Sequence, residues 1–524
     1  MACVIAAPCS GSGKTLLSLC LAAVARERGI GLQPFKVGPD YLDPQLLSAV
    51  AGRSCRNLDT LLCGHAWVQR CVQWHGARAE RVLVEGVMGL FDGRGAGSEA
   101  STAEVAALLQ LPVVLVVEAS RQAGSLGALV RGFRDHGPPA VQLAGVVLNR
   151  VGSERHRALL AEALAAIEVP LLGVLPHDPS LALPSRHLGL LPPAELNDLA
   201  LRRGQWAALA ETHLDLDRIW PLLAPPAPVA ADVPDPIRWV LGQARSDATA
   251  PHHPDTTDAS AGNPQAPPPS SGEQTPEATG AERLPVAIAS DLAFHFRYPE
   301  VHELLEVLGL DPRPWSPLSD APLPAGCRAV ILPGGYPELH AEQLAASRRS
   351  LADLRSAARR DVPIVAECGG LLLLGERLHD ADDRPHAMAG LLPFSARRGA
   401  LTLGYRQATA LSDGLLIRRG ERFAGHEFHR WQLEPAEPDG LTASGSLAGG
   451  TGLWQLEGWG WPRRAEGWTN AALHASWLHL HWAGCPEIPL RLAAAAACAA
   501  PPPMNGASSS PRSTAPTPAA SAGG

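Results

Sequence analysis

Short apolar runs recur along the first 222 positions, separated by longer stretches in which apolar residues return every three or four places. The runs at 2–7, 31–36, 81–85, 112–118, 142–149 and 171–175 are nearly unbroken by polar residues, as in Pro112-Val113-Val114-Leu115-Val116-Val117. Strands of that kind are buried on both faces, as in a parallel sheet covered by helices. The alternation predicts a doubly wound α/β domain over 1–222. The pattern then stops. Residues 223–283 are rich in Pro, Ala, Ser, Thr, Asp and Gly, and include Ala266-Pro267-Pro268-Pro269-Ser270-Ser271-Gly272. So little apolar surface cannot offset the entropy of ordering, which predicts a flexible linker with a short structured piece around Ile237-Arg238-Trp239-Val240-Leu241. Periodicity resumes at Leu284-Pro285-Val286-Ala287-Ile288-Ala289, with further strands expected at 328–332 and 362–366 and shorter mixed or antiparallel strands after them. A second α/β domain over 284–492 and a disordered Ala/Pro/Ser tail over 493–524 complete the division. No repeat of about 20 to 50 residues is present.

Between the first strand and the first helix lies Ala7-Pro8-Cys9-Ser10-Gly11-Ser12-Gly13-Lys14-Thr15. Strand, Gly-rich turn and helix are the context a phosphate loop requires. Backbone N–H groups of Gly11, Ser12 and Gly13 would face phosphate oxygens, Lys14 the β- and γ-phosphates, and the Thr15 hydroxyl Mg²⁺. Pro8 stands where the pattern wants Gly. The alternative is a Gly/Ser turn capping a helix, but Lys-Thr in register with strand and helix favours ATP. Glu85 ends the run Arg81-Val82-Leu83-Val84, at the carboxyl end of a strand where ligands bind in open α/β sheets, so it is a candidate metal ligand. Asp92 follows in a glycine-spaced loop, a candidate for positioning the acceptor or binding a metal. Phe35-Lys36-Val37-Gly38-Pro39-Asp40-Tyr41-Leu42-Asp43-Pro44 places Lys36, Asp40, Tyr41, Leu42 and Asp43 in a Gly/Pro-shaped loop. Asp40 suits a metal and the others an anionic acceptor, although the same residues would make an ordinary polar turn. Asn149 ends another strand, as a contact to a base or as a turn residue.

Composition narrows the class. At 524 residues the chain exceeds one ordinary core. A net charge of -8 gives no electrostatic case for nucleic acid or an anionic membrane. Ten cysteines with no C-x-x-C pair argue against a zinc ribbon or disulfide framework and for a reducing cytosol. Met1 to Ala7 lacks the basic segment of a signal peptide, and no apolar run reaches the roughly 18 to 20 residues of a membrane span. A cytoplasmic enzyme is expected. Lysine is rare beside arginine, which sets Lys14 and Lys36 apart.

The second domain carries Val362-Pro363-Ile364-Val365-Ala366-Glu367-Cys368-Gly369-Gly370-Leu371. Strand, tight turn and helix would expose Cys368 as a nucleophile near a helix N-terminus. A buried inert cysteine is the commoner role. Gly334 and Gly335, in Leu332-Pro333-Gly334-Gly335-Tyr336-Pro337-Glu338, would supply oxyanion N–H groups. His479 is the candidate base in Ser476-Trp477-Leu478-His479-Leu480-His481-Trp482. His481 shares its face at period 2, and His426 and His429 remain further candidates.

Taken together, the loop at 7–15, Lys36 to Pro44, Asn57-Leu58-Asp59, Glu85 to Gly93, Asp291 to Pro299, Gly334 to Glu338, Glu367 to Gly370, Gly425 to Arg430 and Ser476 to Trp482 resemble the cobyrinic acid a,c-diamide synthase family. The resemblance spans 1–222 and 284–490. It implies a dethiobiotin-synthetase-like ATPase domain fused to a class I glutamine amidotransferase domain, with L-glutamine, ATP and Mg²⁺ used to amidate two corrin carboxylates through acyl phosphates. It implies Cys368 as nucleophile and His479 as base, with His481 where class I enzymes carry a glutamate, and it tolerates Pro8. Hydrogenobyrinic acid or nickel-sirohydrochlorin as acceptor would use the same motifs, and a homodimer stays open. Two other classes remain. A partitioning-type ATPase switch with a decayed glutaminase domain would not need Cys368, and the intact motifs weigh against it. A cysteine hydrolase with ATP only as regulator would turn over without an acceptor.

Overall fold

The computed structural model describes residues 2–177, 185–186, 189–230, 233–249, 283–435 and 451–499. The first sheet has seven parallel strands: β1 Cys3–Ala6, β2 Leu32–Val37, β3 Arg56–Leu58, β4 Arg81–Glu85, β5 Val113–Glu118, β6 Leu143–Val151 and β7 Leu171–Pro176. Their order, β3-β2-β4-β1-β5-β6-β7, changes direction about β1 and β4, so the phosphate loop after β1 and Glu85 at the end of β4 adjoin. Each apolar run of the sequence became a strand of this sheet. β3 was not foreseen: it is three residues long and two of them, Arg56 and Asn57, are polar. Arg56 is met by Glu300 and Glu303 of the other half and Asn57 Nδ2 donates to the Gly38 and Asp40 carbonyls, contacts that no local pattern reports. A two-residue pair, β8 Ser185–Arg186 with β9 Gly189–Leu190, follows.

The second sheet begins with parallel strands β10 Leu284–Ala289, β11 Leu310–Trp315, β12 Ala329–Leu332 and β13 Ile364–Glu367. It continues through β14 Arg377–His379, β15 Pro385–Ala387, β16 Phe394–Ala410, β17 Arg422–Pro435, β18 Thr451–Gly458, β19 Trp461–Thr469 and β20 Leu473–Ser476. The order is β11-β10-β12-β13-β20-β19-β18-β16-β14-β15, with β17 against β16. The antiparallel members fall where mixed strands were expected. β11 was missed because Pro312 and Pro314 read as strand breakers; it is an edge strand, where proline is tolerated.

Within the stretch read as linker, Pro236–Thr249 is a helix. Its Ile237, Val240 and Leu241 are buried, and so extend the structured piece expected there. Residues 231–232 and 250–282 lie outside the described residues. Past the boundary at 492, helix Glu487–Cys498 runs on with Leu492 and Ala496 buried, so the first tail positions are helical; 500–524 are outside the described residues.

The two halves share a core. One apolar cluster joins Phe35, Val37, Leu58 and Trp67 to Val286, Leu304, Leu480 and Trp482. Beside it Arg56 Nη1 donates to Glu300 Oε1 at 3.1 Å and to Glu303 Oε2 at 2.7 Å. Tyr405 Oη donates to Asp59 at 2.9 Å, and Gln45 Nε2 donates to the His295 carbonyl at 2.8 Å. Ion pairs this buried survive only when several acceptors share the guanidinium.

Candidate active site

The phosphate loop closes on itself. Gly11 and Gly13 have φ of 81° and 110°, which favours glycine. Ser12 Oγ donates to the Cys9 carbonyl at 3.0 Å, and Asn149 Nδ2 donates to the Ser12 carbonyl at 2.9 Å. Asn149 therefore braces the loop from β6, and a Cβ on Gly13 would strike its amide. Lys14 opens helix Lys14–Glu27 and its Nζ donates to the Met88 carbonyl at 2.5 Å. Burial and then the nearby Lys36 ammonium hold Lys14 below the usual lysine range.

Thr15 Oγ1 donates to Glu85 Oε1 at 2.8 Å, and Lys36 Nζ donates to the same oxygen at 2.8 Å and to Asp43 Oδ2 at 2.5 Å. Asp40 Oδ2 is 3.8 Å from the ammonium. Burial opposes the charge on Lys36, but Asp43, Glu85 and Asp40 outweigh it and hold its pKa well up. Burial also raises Asp40, with the Asp43 charge adding to it, to about 7. The chain's two lysines, Lys14 and Lys36, thus stand together at the acid end of the parallel strands. Leu42 N–H donates to Asp40 Oδ1 and fixes that loop, while Asp92 turns back to accept from the Gly89 N–H.

Magnesium fits this donor set. Glu85 Oε2 is buried without a hydrogen-bond partner among the described residues, beside the Thr15 hydroxyl. No group of three or more His, Cys, Asp or Glu among the described residues would hold an ion by itself. An ion there would take phosphate oxygens and water as well, as magnesium does with nucleotides.

In the second half, Cys368 sits at φ 48° and ψ -105°, between β13 and helix Gly369–Leu374. A β-carbon residue held there is strained, as at a nucleophile elbow. The Gly335 amide lies against the Gly369 turn, so closely that a Cβ on Gly369 would strike its nitrogen. Gly334 takes a different part: its carbonyl accepts from the N–H groups of His295 and Phe296.

His479 follows β20 and pairs by backbone with His426. Burial works against its charge, but the Cys368 sulfur and then the Glu367 carboxylate outweigh it, pushing the imidazole up to about 10. Glu367 Oε2 lies 3.7 Å from Nδ1, an ion-pair distance rather than a hydrogen bond. The sequence reading left Glu367 without a role. It immediately precedes Cys368, so only the turn geometry brings it to the imidazole.

The other histidines are elsewhere. His481 was expected on the same face as His479, but β20 ends at Ser476 and period 2 lapses. Its Nε2 is 3.7 Å from Glu300 and its ring 4.2 Å from Tyr298. Burial pushes His426 down to about 3, helped by His479 and Arg406, so it is neutral at ordinary pH. His429 stacks on Trp477 at 3.9 Å and contacts the Trp431 carbonyl through Nδ1.

The two centres face one another. Tyr41, from the Lys36–Asp43 loop, stacks on Phe296 at 5.2 Å and lies 5.3 Å from the His479 ring. A cavity of about 580 Å³ runs between the halves, with Asp40, Tyr41, Asp43 and Met88 on one wall and His426, Phe428 and His479 on the other. A roomier cleft of about 920 Å³, walled by Trp74, Pro226 and Trp239, holds none of these side chains, so chemistry rather than size locates the site.

Each half of the chain matches a known domain family. Residues 3–191 match the CobQ/CobB/MinD/ParA nucleotide binding domain and residues 285–486 the CobB/CobQ-like glutamine amidotransferase domain. The chain is 41% identical over 485 residues to cobyrinate a,c-diamide synthase of Gloeobacter violaceus, covering 92% of this chain and 94% of that one. It is 42% identical over 496 residues to hydrogenobyrinate a,c-diamide synthase of Streptomyces coelicolor, covering 93% and 96%.

Proposed function

The chain belongs to the family of cobyrinate and hydrogenobyrinate a,c-diamide synthases, glutamine-dependent ligases of cobalamin biosynthesis, and on that premise we propose that it converts the a and c carboxylates of cobyrinic acid to amides. The observation that carries this reading is a cavity between the halves that has His479, the imidazole paired with Cys368, on one wall and, on the other, Asp40, Asp43 and Met88, whose carbonyl accepts from Lys14 of the phosphate loop.

The Cys368 sulfur attacks the amide carbon of glutamine, and the Gly335 N–H takes the developing oxyanion. His479 gives its proton to the departing nitrogen, so ammonia leaves and a thioester remains; water then releases glutamate and restores the thiol. Glu367 holds the imidazolium. At the other centre an acceptor carboxylate oxygen takes the γ-phosphoryl group of ATP, leaving ADP. A carboxylate is a poor acyl donor, and the acyl phosphate gives it a leaving group. Ammonia arriving through the cavity attacks the acyl carbon, and phosphate departs. Lys14 and the loop N–H groups hold the β- and γ-phosphates, and Lys36 pairs with Glu85 and holds the Asp43 carboxyl below the usual range against the cost of burial. Thr15, Glu85 and Asp40 would hold magnesium, which when bound neutralises phosphate charge.

The test is mass spectrometry of cobyrinic acid incubated with protein, ATP, Mg²⁺ and glutamine. Two successive hydroxyl-to-amide exchanges that stop without ATP are expected. ATP hydrolysis with no exchange on any corrin would overturn the reading. The Streptomyces coelicolor relative favours a second acceptor, metal-free hydrogenobyrinic acid, and the same assay run on both ranks them by kcat/KM.

A further inference from the structure

Seven large apolar side chains are exposed among the described residues, and four of them line the same cavity: Met88, Leu403, Trp459 and Trp461. Scattered exposed apolar residues need no explanation, but a cluster around an opening does. Trp459 is 70% exposed and Trp461 45%. They flank Gly460 at the turn joining β18 to β19, so the glutaminase half reaches over the ATPase half. Contact is direct, since a Cβ on Gly95 would collide with the Trp459 ring. Beneath Trp461 lies the Arg406 guanidinium, 5.2 Å from the ring centroid. Arg406 is only 4% exposed; its Nε donates to Glu427 at 2.6 Å, while its Nη2 is buried without a hydrogen-bond partner among the described residues. Arg94 lines the same cavity, with Glu99 as its ion-pair partner at 3.1 Å.

We propose that this rim is the acceptor subsite, in which Trp459, Trp461, Leu403 and Met88 receive the apolar face of a flat, polycarboxylate macrocycle and Arg406 takes one of its carboxylates. The proposal rests on the amidation reading above and adds to it that the glutaminase half carries much of the acceptor recognition. The chemistry matches at both ends. Aromatic and thioether groups suit a broad π-surface, and an unpartnered buried guanidinium nitrogen suits a carboxylate. Met88 closes the rim from the ATPase half beside Asp40, and its carbonyl accepts from Lys14, so a macrocycle seated between Met88 and the tryptophans has an edge toward the phosphate loop. An apolar rim has a further consequence. Stacking is weakly directional, so the ring can turn in its own plane and present a second carboxylate after the first has reacted, where a lattice of hydrogen bonds would hold one orientation.

The test measures cobyrinic acid binding by titration calorimetry without ATP or glutamine, and its KM with ATP and ammonia. Trp459→Ala and Trp461→Ala should each weaken binding and raise the acceptor KM about tenfold, with a smaller effect on kcat. Trp459→Phe and Trp461→Phe should restore most of the loss, and Leu201→Ala, an exposed apolar position away from the cavity, should change nothing. Wild-type protein that binds and amidates the corrin while both alanine variants keep its Kd and KM would overturn the rim assignment alone. Wild-type protein that neither binds nor amidates a corrin would overturn the amidation reading, and this inference with it.

Discussion

Two side chains set the charge of His479. Cys368 and Glu367, adjacent in sequence, approach the imidazole from the turn after β13 and keep it protonated against the cost of burial. Removing the sulfur should separate the two activities. Cys368→Ala should lose glutamine-dependent amidation by at least about a thousandfold yet keep ammonia-dependent amidation, whereas Lys14→Ala should lose both; steady-state rates with each nitrogen donor check this. Full glutamine-dependent activity in Cys368→Ala would remove it as nucleophile. Glu338, beside the Cys368 chamber, offers a test by pH. Burial pushes its carboxyl up to about 8. The folded protein therefore keeps a proton that an unfolded glutamate releases near 4.5. That contribution to stability is complete below the unfolded value and drains as pH rises through 8. Against Glu338→Gln, the wild type should lose on the order of 3 kcal/mol between pH 5 and 9. Parallel urea-denaturation profiles of the two proteins would contradict it.

At the scale of elements, the elbow depends on how closely helix Gly369–Leu374 lies on β12. A Cβ on Gly370 would drive into the Leu332 carbonyl, which is backbone and cannot swing aside. Gly370→Ala should cost about 1–3 kcal/mol and displace Cys368, so chemical denaturation and glutaminase rate should fall together. Normal stability with normal glutaminase activity would show that the helix has room. The glycines were legible as turn-formers, but the reason for the second one is a contact with a strand 38 positions earlier in the chain. The apolar strands were legible because each is buried on both faces by its own composition. β3 and β11 were not, since Arg56 is buried by Glu300 and Glu303 and the prolines of β11 are tolerated only at an edge.

Across the whole molecule, one loop touches both centres. Lys36, Asp40 and Asp43 belong to the phosphate end, while Tyr41 between them lies against Phe296 and His479. A shift of that loop as acceptor or nucleotide binds must move the ring beside His479. Tyr41→Ala should therefore uncouple the centres, so that more glutamine is hydrolysed per amide formed, by about threefold or more. The ratio of glutamate to amide product checks this, and an unchanged ratio would leave the ring with packing alone. Arg56 and Tyr405, which tie the halves together, keep those distances fixed.

The sequence by itself determined the two α/β units, the phosphate loop, the elbow cysteine and the family they resemble, because glycine spacing, strand composition and short motifs are local and carry their physics with them. It did not determine which histidine meets the thiol, that Glu367 stands behind that histidine, or that a hairpin of the glutaminase half overhangs the ATPase half. Those were decided by where β20 ends, how β13 turns, and how two sheets pack through a shared core. Contacts between residues hundreds of positions apart have no period to read, and only burial against the other half sets them.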